Sequence, residues 1–341
     1  MEEQAHLAHA PKRRGSYMTF LKTHALTILA VPLVSGLITF VFLVFPLSEY
    51  VDVSMVSAEP KEEQTATLLF VGDVMLDRYI RRMLDERGAP YVFGEVRALL
   101  AEPDITAGNL EGPITSNPSV SGGTKVGDVN NMRFTFSPPS ASMLSSFGFD
   151  VLSIGNNHMR DFGASGVEST KQHLTQAGIE YVGDPNGADI KPVIREVNGI
   201  RIGFVAYNEF LGWDMEWTLQ GVRDAKRQGA DYVAVLAHWG DEYDTQVPER
   251  IRALFIKLEE AGTDTVIGSH PHVIGTIENV GDMRVYYSLG NFVFDQYWNQ
   301  AVRCGLAVTV TLIKGEGKTR AEYEETKVGM QPDGRTVLGC S

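Results

Sequence analysis

Cysteine is almost absent from this sequence. Only Cys304 and Cys340 occur in 341 residues, and neither belongs to a Cys-x-x-Cys pair or a cysteine-rich cluster. This excludes a zinc site built from thiolates. If both cysteines lie outside a membrane, they can form a disulfide that ties the end of the chain to the predicted strand around Leu306; two free thiols are the alternative.

Positive charge is also scarce. The chain has 30 Lys and Arg against 43 Asp and Glu, a formal net charge of −13, and its main body contains no basic cluster. These features argue against a nucleic acid as the partner. An acidic surface also repels polyanions unless metal ions or local cations intervene, although solubility alone accounts for such a charge.

Long apolar runs are missing except for one, at residues 25–47, which carries no charge. At ~1.5 Å per residue it is long enough to cross a ~30 Å hydrocarbon core, so we expect a single transmembrane anchor. Basic residues precede the run and acidic residues follow it, which predicts a cytoplasmic N-terminus and an extracytoplasmic body at the cell membrane. A cleaved signal peptide is the competing interpretation, but the run exceeds an h-region of ~7 to 15 residues.

The pattern divides the chain into five parts. We predict a cytoplasmic tail at 1–24, the anchor at 25–47, a polar linker at 48–65, one domain at 66–315 and a C-terminal tail at 316–341. Within the domain, strand-type runs alternate with helix-type patterns and no internal repeat is found. This alternation predicts an α/β fold with a largely buried sheet.

The predicted elements follow each other closely. Strands are expected at 67–71, 105–108, 151–154, 180–182, 193–197, 201–207, 232–237, 265–267, 284–289 and 306–313. Helices are expected at 75–87, 138–147, 163–177, 216–228 and 249–260. Asn198-Gly199 predicts a type I′ turn between two of these strands.

Ligand-type side chains follow several predicted strands. Asp73 and Glu111 come at the ends of the first two, where ligands collect in α/β sheets, so both are candidate metal ligands. Asp73 can instead cap the next helix, and Glu111 can belong to an ordinary polar turn.

The third predicted strand is followed by Gly155-Asn156-Asn157-His158. An amide oxygen is an acceptable metal ligand beside a carboxylate, and His158 can serve a substrate as acid or base. Asp161 can orient His158 or cap the following helix. A structural turn is the alternative for the whole motif.

Histidines follow two later strands: His238 ends one of them, and His270 and His272 follow the other. In an extended loop, residues i and i+2 project to the same side, so both imidazoles can face one cavity. Satisfied structural histidines remain the alternative for His270 and His272.

Taken together, these motifs resemble a known family. In order and spacing, the sequence resembles the CapA proteins, the poly-γ-glutamate capsule synthesis group, through FVGDVML, GNLEGPI, IGNNHMRDFG, LAHWGDEY, IGSHPHV and YSLGNFVFDQ. The domain of that family is similar to the calcineurin-like metallophosphatases. The resemblance covers about residues 67–311 and implies a four-layer α/β/β/α sandwich with a dinuclear metal site.

The resemblance also implies roles for individual residues. Glu111 stands where a bridging carboxylate is found, His238 and His270 resemble ligands of one metal, and His272 resembles a ligand of the other. The implied metal ligands are Asp73, Glu111, Asn157, His238, His270 and His272, and the implied catalytic residue is His158. We add Asp161 to the candidate catalytic residues because its carboxylate can orient His158. Two divalent ions are expected, and mixed nitrogen and oxygen ligands favour Mn, Zn or Fe.

One position departs from the pattern. Metallophosphatases usually carry a histidine two residues after the first aspartate, and here Met75 occupies that position. One metal then has only Asp73, Glu111 and His272 as protein ligands.

Three functions are compatible with the sequence. The first is a metal-dependent hydrolase acting on a phosphoester, amide or peptide bond of cell-envelope material. The second is a membrane-anchored component of poly-γ-glutamate synthesis or export, working beside membrane synthase or export subunits. The third is a non-catalytic, polymer-binding scaffold. The polar loop 117–131 can shape the substrate cleft together with five aromatic residues: Trp213, Trp217, Tyr243, Tyr297 and Trp298.

Overall fold

The structure is a computed structural model that describes residues 63–125, 127–187 and 191–340. The predicted cytoplasmic tail 1–24, the anchor 25–47 and nearly all of the linker 48–65 lie outside the described residues. Among the described helices, none is both long and apolar enough for a membrane crossing.

Strands and helices alternate along most of the described chain. The strands are β1 (Gln64–Val74), β2 (Ile105–Leu110), β3 (Phe149–Ser153), β4 (Glu180–Val182), β5 (Val193–Val197), β6 (Ile200–Asn208), β7 (Tyr232–His238), β8 (Thr265–Ser269), β9 (Ile277–Val280), β10 (Met283–Tyr286), β11 (Asn291–Val293), β12 (Cys304–Lys314), β13 (Arg320–Met330) and β14 (Thr336–Leu338). The helices are α1 (Arg78–Arg87), α2 (Ala89–Phe93), α3 (Arg97–Ala101), α4 (Pro139–Ser146), α5 (Gly163–Gln176), α6 (Met215–Arg227) and α7 (Glu249–Ala261).

These strands form two sheets. The first has the order β14-β13-β12-β1-β2-β3-β4, with β11 pairing with the end of β1. Its strands β1 to β4 are parallel, whereas β12, β13 and β14 are antiparallel to their neighbours. The second sheet has the order β5-β6-β7-β8-β10-β9, with β6, β7, β8 and β10 parallel.

Apolar side chains on both faces of the sheets define four layers. Phe70 of β1 and Phe204 of β6 lie in a buried cluster between the sheets, with ring centroids 6.3 Å apart. A second cluster joins the outer face of the first sheet to α1 to α5, and a third joins the outer face of the second sheet to α6 and α7. The arrangement is the predicted α/β/β/α sandwich, and its core is apolar on both faces of each sheet, as parallel strands require.

The hairpin between β5 and β6 has the predicted turn. Val197 pairs with Ile200, and both intervening residues have positive φ, 49° at Asn198 and 78° at Gly199. Positive φ at both central positions defines the type I′ turn, which only asparagine, aspartate and glycine adopt readily. This prediction is confirmed.

The first helix begins three residues later than predicted. The sequence places its start at Met75, but β1 continues through Val74, and the backbone N–H of Met75 donates to Val293 O at 2.9 Å. The helix begins at Arg78, where Asp77 accepts from the Arg78 N–H. The helix cap is therefore Asp77, and Asp73 is left available for another role.

The end of the chain differs from its expected description as a tail. Within 316–341, β13 and β14 extend the first sheet beyond β12, and β1 likewise begins at Gln64, inside the predicted linker. Strand β13 was not predicted because its first eight residues are mostly charged and face solvent, with only Ala321 and Tyr323 packing against the core there, whereas its buried residues Val328 and Met330 come at its end. Of the two alternatives for the cysteines, the structure has the disulfide between Cys304 and Cys340.

Candidate metal centre

The candidate residues come from the carboxyl ends of five parallel strands. Asp73 lies at the end of β1, Glu111 follows β2, the segment with Asn157 and His158 follows β3, His238 ends β7 and His270 follows β8. The two sheets face each other, so these ends meet at one edge of the sandwich. All the predicted ligands are buried except Asn157, which is half-buried.

Asp73 is held in place from several sides. Its backbone N–H donates to Gly290 O at 3.0 Å, and its Oδ1 accepts from Asn109 Nδ2 at 2.8 Å. Its Oδ2 lies 3.1 Å from His272 Nδ1. Burial alone would raise the pKa of Asp73, but its hydrogen bonds with His272 and Asn109 outweigh burial and lower it. Asp73 is therefore ionised in the folded chain.

Glu111 is the second fully buried carboxylate. Its Oε2 accepts from Asn109 Nδ2 at 3.2 Å, whereas its Oε1 has no hydrogen-bond partner. Burial raises the pKa of Glu111 well above its usual range, and the neighbouring charge of Asp73 raises it further. A buried carboxylate of this kind needs a cation to be stable in its ionised form.

His238 is oriented by a hydroxyl group. Ser269 Oγ lies 2.9 Å from His238 Nδ1 and donates its own hydrogen to Ala237 O, so Nδ1–H donates to Ser269. The Nε2 lone pair then lies 2.8 Å from Asn157 Oδ1. Because both atoms are acceptors, a cation that both bind would stabilise this contact. Burial lowers the pKa of His238 well below its usual value, with nearby His270 contributing, which keeps it in the neutral form that binds metals.

His270 and His272 reach the centre by a different geometry from the predicted one. Their φ angles are 95° and 58°, so the Ser-His-Pro-His segment is not extended, as the i, i+2 argument assumed. Positive φ at residues with a Cβ costs of order 1–3 kcal/mol and is often found at functional sites. The two rings nevertheless lie with centroids 5.9 Å apart at the same edge of the sandwich.

The hydrogen bonds of His272 leave one nitrogen for a ligand. Its Nδ1 donates to Asn291 Oδ1 at 3.0 Å, because the Asn291 amide nitrogen is already committed to Gln296 Oε1 and Val302 O. The Nε2 lone pair lies 3.5 Å from the unpartnered Glu111 Oε1. Two electron-rich atoms facing each other in a buried site are the arrangement that a metal ion stabilises.

His270 presents a further unpartnered nitrogen. Its buried Nδ1 has no hydrogen-bond partner, and its ring packs against Phe210 at 4.6 Å between centroids. Burial lowers the pKa of His270 to about 4, and the charge of His272 contributes. The neutral imidazole is therefore available as a ligand at neutral pH.

Among the described residues, two sets of three side chains have ligand atoms close enough for one ion. The first set is Glu111, His270 and His272; the second is Asp73, Glu111 and His238. The ligand atoms of each set lie within 4.8 Å of one another, and Glu111 belongs to both. The membership of Glu111 in both sets agrees with a bridging role for this residue. The pairing of histidines differs from the implied one: the structure groups His270 with His272, whereas the resemblance implies that His238 and His270 bind the same metal. Mixed nitrogen and oxygen donors of this kind fit Mn, Zn or Fe.

Met75 contributes to the core. Its side chain is fully buried in the cluster that joins the first sheet to α1, and its Sδ accepts from the Asp77 N–H at 3.0 Å. It takes no part in either ligand set.

His158 and Asp161 form a pair beside these ligands. His158 Nδ1 lies 3.0 Å from Asp161 Oδ2, which also accepts from the Phe134 N–H at 2.7 Å. The ring of His158 packs on Phe134 at 4.4 Å between centroids. Asp161 does not cap α5, whose preceding residue, Phe162, makes no side-chain cap. Of the two alternatives, Asp161 therefore orients His158 and leaves its Nε2 free for proton transfer.

Three buried asparagines were not assigned roles from the sequence. Asn109 donates to both Asp73 and Glu111, and its Oδ1 accepts from Asn156 at 3.1 Å. Asn291 orients His272 from β11. Asn109 lies near the end of β2, Asn156 follows β3, and Asn291 begins β11; an amide next to a mostly apolar strand was the available signal.

Comparison with known proteins agrees with this geometry. The family model of the bacterial capsule synthesis protein PGA_cap matches residues 67–296, which contain every candidate ligand and the His158–Asp161 pair. The chain belongs to this family. Within PGA_cap, the chain is 31% identical over 259 residues to the capsule biosynthesis protein CapA of Bacillus anthracis, covering 70% of this chain and 62% of the relative.

A second relative gives a similar result. The PGA biosynthesis protein CapA of Bacillus subtilis is 32% identical over 248 residues, covering 68% of this chain and 64% of the relative. The chain therefore spans just under two thirds of the length of both relatives. Among solved structures, the calcineurin-like phosphoesterase YfkN of Bacillus subtilis matches with a TM-score of 0.46 and 16% identity, covering 77% of this chain and 90% of that one. A likeness of that degree carries no argument.

Proposed function

We propose that this PGA_cap protein acts in capsule polymer synthesis by hydrolysing a bond in an anionic envelope polymer, poly-γ-glutamate above all, at a centre that holds two divalent ions. The observation that carries the proposal is Glu111, a buried carboxylate shared by two sets of ligands. The names of the two CapA relatives support the process, and the His158–Asp161 pair supports hydrolysis.

Each residue has a distinct part in the proposed reaction. Divalent ions at such a centre polarise the bond to be cleaved, activate water and neutralise substrate charge. Asn109 keeps Asp73 and Glu111 in position through its amide nitrogen. As water adds to a glutamyl amide, His158 Nε2 takes a proton from the water; as the C–N bond breaks, it gives that proton to the departing amine, while Asp161 holds Nδ1.

The proposal includes a location and partners. We place the domain outside the cell membrane, on a single anchor at 25–47 with a cytoplasmic N-terminus, beside synthase or export subunits. The disulfide between Cys304 and Cys340 supports an oxidising compartment, because such bonds are rare in the cytosol. The positive-inside distribution of charge around the anchor supports the orientation.

A non-catalytic role in polymer binding is the second candidate. It is favoured by Met75, which lies in the core where metallophosphatases usually have a ligand, so that one ion has fewer protein ligands. In that case the ions would bind polymer carboxylates without turnover.

Metal content and turnover distinguish the two candidates. In the full-length chain, we expect about two ions by elemental analysis. Glu111→Gln should lose both ions, because Glu111 belongs to both sets, whereas the exposed control Glu102→Gln should lose neither. His158→Gln should keep the metal and lose roughly a hundredfold or more of the cleavage of γ-glutamyl oligomers.

Other outcomes would change the assignment. Cleavage of a phosphodiester or peptide in place of the glutamyl oligomer would move the substrate to another class of envelope material. Full metal occupancy with no cleavage of any of the three would favour the binding role. Unchanged metal content in Glu111→Gln would contradict the shared-ligand centre.

A further inference from the structure

A cavity of about 690 Å³ opens beside the metal centre. Helix α1 lines it with Arg78, Tyr79, Arg81 and Arg82, and the loop after β11 lines it with Trp298. Residues of the polar loop 117–131, including Asn131, and Asp295 also line it. The volume is in the range of pockets that enclose a ligand of several linked units.

Two of the lining residues connect the cavity to the centre. The guanidinium of Arg78 lies 4.9 Å from the Phe134 ring centroid and 5.6 Å from that of Phe294. Phe134 in turn packs on His158, and Phe294 packs on His272 at 4.9 Å.

On the other side, Trp298 lies 5.7 Å from Tyr243, whose ring centroid is 6.3 Å from that of His272. The residues that line the cavity are therefore one ring away from both ends of the metal centre. A chain lying in the cavity is therefore close to the metal centre, with these rings between them.

The three arginines differ in how their charge is used. Arg78 pairs with Asp295, and Arg81 lies 3.9 Å from the buried Asp77. Arg82 is exposed and lies 4.6 Å from the Tyr79 ring centroid, and in the described part of the chain no carboxylate lies within 4.0 Å of its nitrogens. Its charge is therefore free for a ligand.

Acidic residues are present at the same cavity. Asp85 and Glu86 line it from the next turn of α1, and both are exposed. Neither forms an ion pair with an arginine among the described residues. With Asp295 they give the wall three carboxylates against three arginines, so charge alone does not favour an anion there, and a ligand must also make apolar contacts with the aromatic residues of the wall.

We propose that this cavity is the subsite that holds a stretch of polycarboxylate chain next to the bond acted on at the metal centre, with Arg82 binding a carboxylate and Trp298 packing on the methylene groups between carboxylates. The inference rests on the proposed function and adds the residues that hold the polymer beside the metal centre. Arginine beside an aromatic ring suits a polymer in which charged and apolar groups alternate, because guanidinium binds carboxylates in a fork and the ring covers the apolar part. In a chain of net charge −13, such a subsite gives a polyanion a local place to bind.

The test compares two arginines of one helix. Arg82→Gln removes the arginine that lines the cavity, whereas Arg87→Gln removes an exposed arginine that lies in the same way over Tyr91, at 4.4 Å, but outside the cavity. Binding of a short γ-glutamyl oligomer to the full-length chain is measured by calorimetry, with the fully amidated oligomer as the neutral control. We expect Arg82→Gln to weaken binding of the acid form about tenfold and Arg87→Gln to leave it within about twofold.

A second variant and the metal-free protein complete the test. Trp298→Ala should also weaken binding, and the dependence on Arg82 should persist in Glu111→Gln, since the cavity does not include the ligands. Equal affinities of Arg82→Gln and the wild type would overturn the subsite, even if the wild type cleaves the oligomer. An equal loss in Arg87→Gln would also overturn it, by showing that only overall surface charge matters.

Different outcomes of this experiment would reject the subsite and the proposed function. Arg82-dependent binding without any metal-dependent cleavage would support the subsite and reject the hydrolase. No binding of the oligomer to the wild type would reject both the subsite and poly-γ-glutamate as the substrate.

Discussion

At the scale of single residues, the centre is built from groups whose ordinary protonation is disturbed by burial. His238 and His270 are held neutral, Asp73 is held ionised, and Glu111 is pushed towards its protonated form. The shifts of His238, His270 and Glu111 disfavour the charged forms of these groups, whereas that of Asp73 favours its charged form. The stability of the metal-free chain should therefore depend on pH.

His270 gives the pH dependence a definite sign. Its pKa is lowered from 6.5 to about 4 in the folded chain, so between these values the unfolded chain binds more protons than the folded one. The contribution of His270 to the free energy of unfolding should therefore be complete above about pH 6.5. It should be lost as the pH drops towards 4, which lowers the free energy of unfolding by roughly 3 kcal/mol at most.

The measurement uses urea unfolding of chelator-treated protein at several pH values. His270→Ala should show a shallower slope across this window than the wild type, because one titrating group is removed. Parallel slopes for the two proteins would contradict the assignment of a neutral, buried His270.

Single residues also show where sequence reasoning stopped. Of the six ligand candidates, five belong to the two sets of close ligand atoms, and their meeting at one edge was predictable because ligands collect at the carboxyl ends of strands in α/β sheets. Asn109 and Asn291 were not predicted, because an amide in a turn has many equivalent roles. Their positions depend on which strands pair, and the pairing of β11 with the end of β1 was not predictable from a three-residue strand.

At the scale of elements, the end of β1 depends on a close backbone approach. A Cβ at Gly72 would lie 1.8 Å from Gly290 O, the atom that accepts from the Asp73 N–H. Only glycine fits this position, and it sets both the pairing with β11 and the position of Asp73.

Gly72→Ala should consequently damage both stability and the metal centre. We expect a loss of roughly 1–3 kcal/mol or more in the free energy of unfolding, since overpacking forces the backbone apart, together with reduced metal content. Gly94→Ala is the matched control, because a Cβ there meets nothing within 4 Å, and it should change neither quantity. Denaturant titration with elemental analysis measures both, and normal metal content in Gly72→Ala would contradict the role of this contact.

Elements were predictable where burial dominates. The inner strands read as continuous apolar runs, and the Asn198-Gly199 turn follows from local backbone preference alone. Strand β13 was missed because a half-solvated strand with charged residues looks like a tail until its partner is known.

At the scale of the whole molecule, one covalent bond closes the far edge of the first sheet. The disulfide joins Cys304, at the start of β12, to Cys340, just after β14, across a sequence separation of 36 residues. The bond limits the freedom of the unfolded chain over this segment, which includes β13 and β14.

Cys340→Ser should reveal the contribution of that bond. We expect a loss of about 2–4 kcal/mol in stability, the usual range for closing a loop, with metal content unchanged because the ligands come from other strands. Dithiothreitol should lower the melting temperature of the wild type and leave that of Cys340→Ser unaffected. A wild type insensitive to dithiothreitol would contradict the pairing.

The position of β1 has a consequence for the order in which the protein can be made. Strand β1 lies between β2 and β12, and Gln64 pairs with Lys314. The first of the described strands to be synthesised therefore cannot pair with β12 until nearly the whole domain has been synthesised. Such distant pairings slow folding and leave strand edges exposed meanwhile. Asp73 and Glu111 emerge long before His238, His270 and His272, which lie at the ends of strands of the second sheet. The nascent chain therefore cannot assemble either ligand set until the second sheet has formed, and metal loading is a late event in its biogenesis.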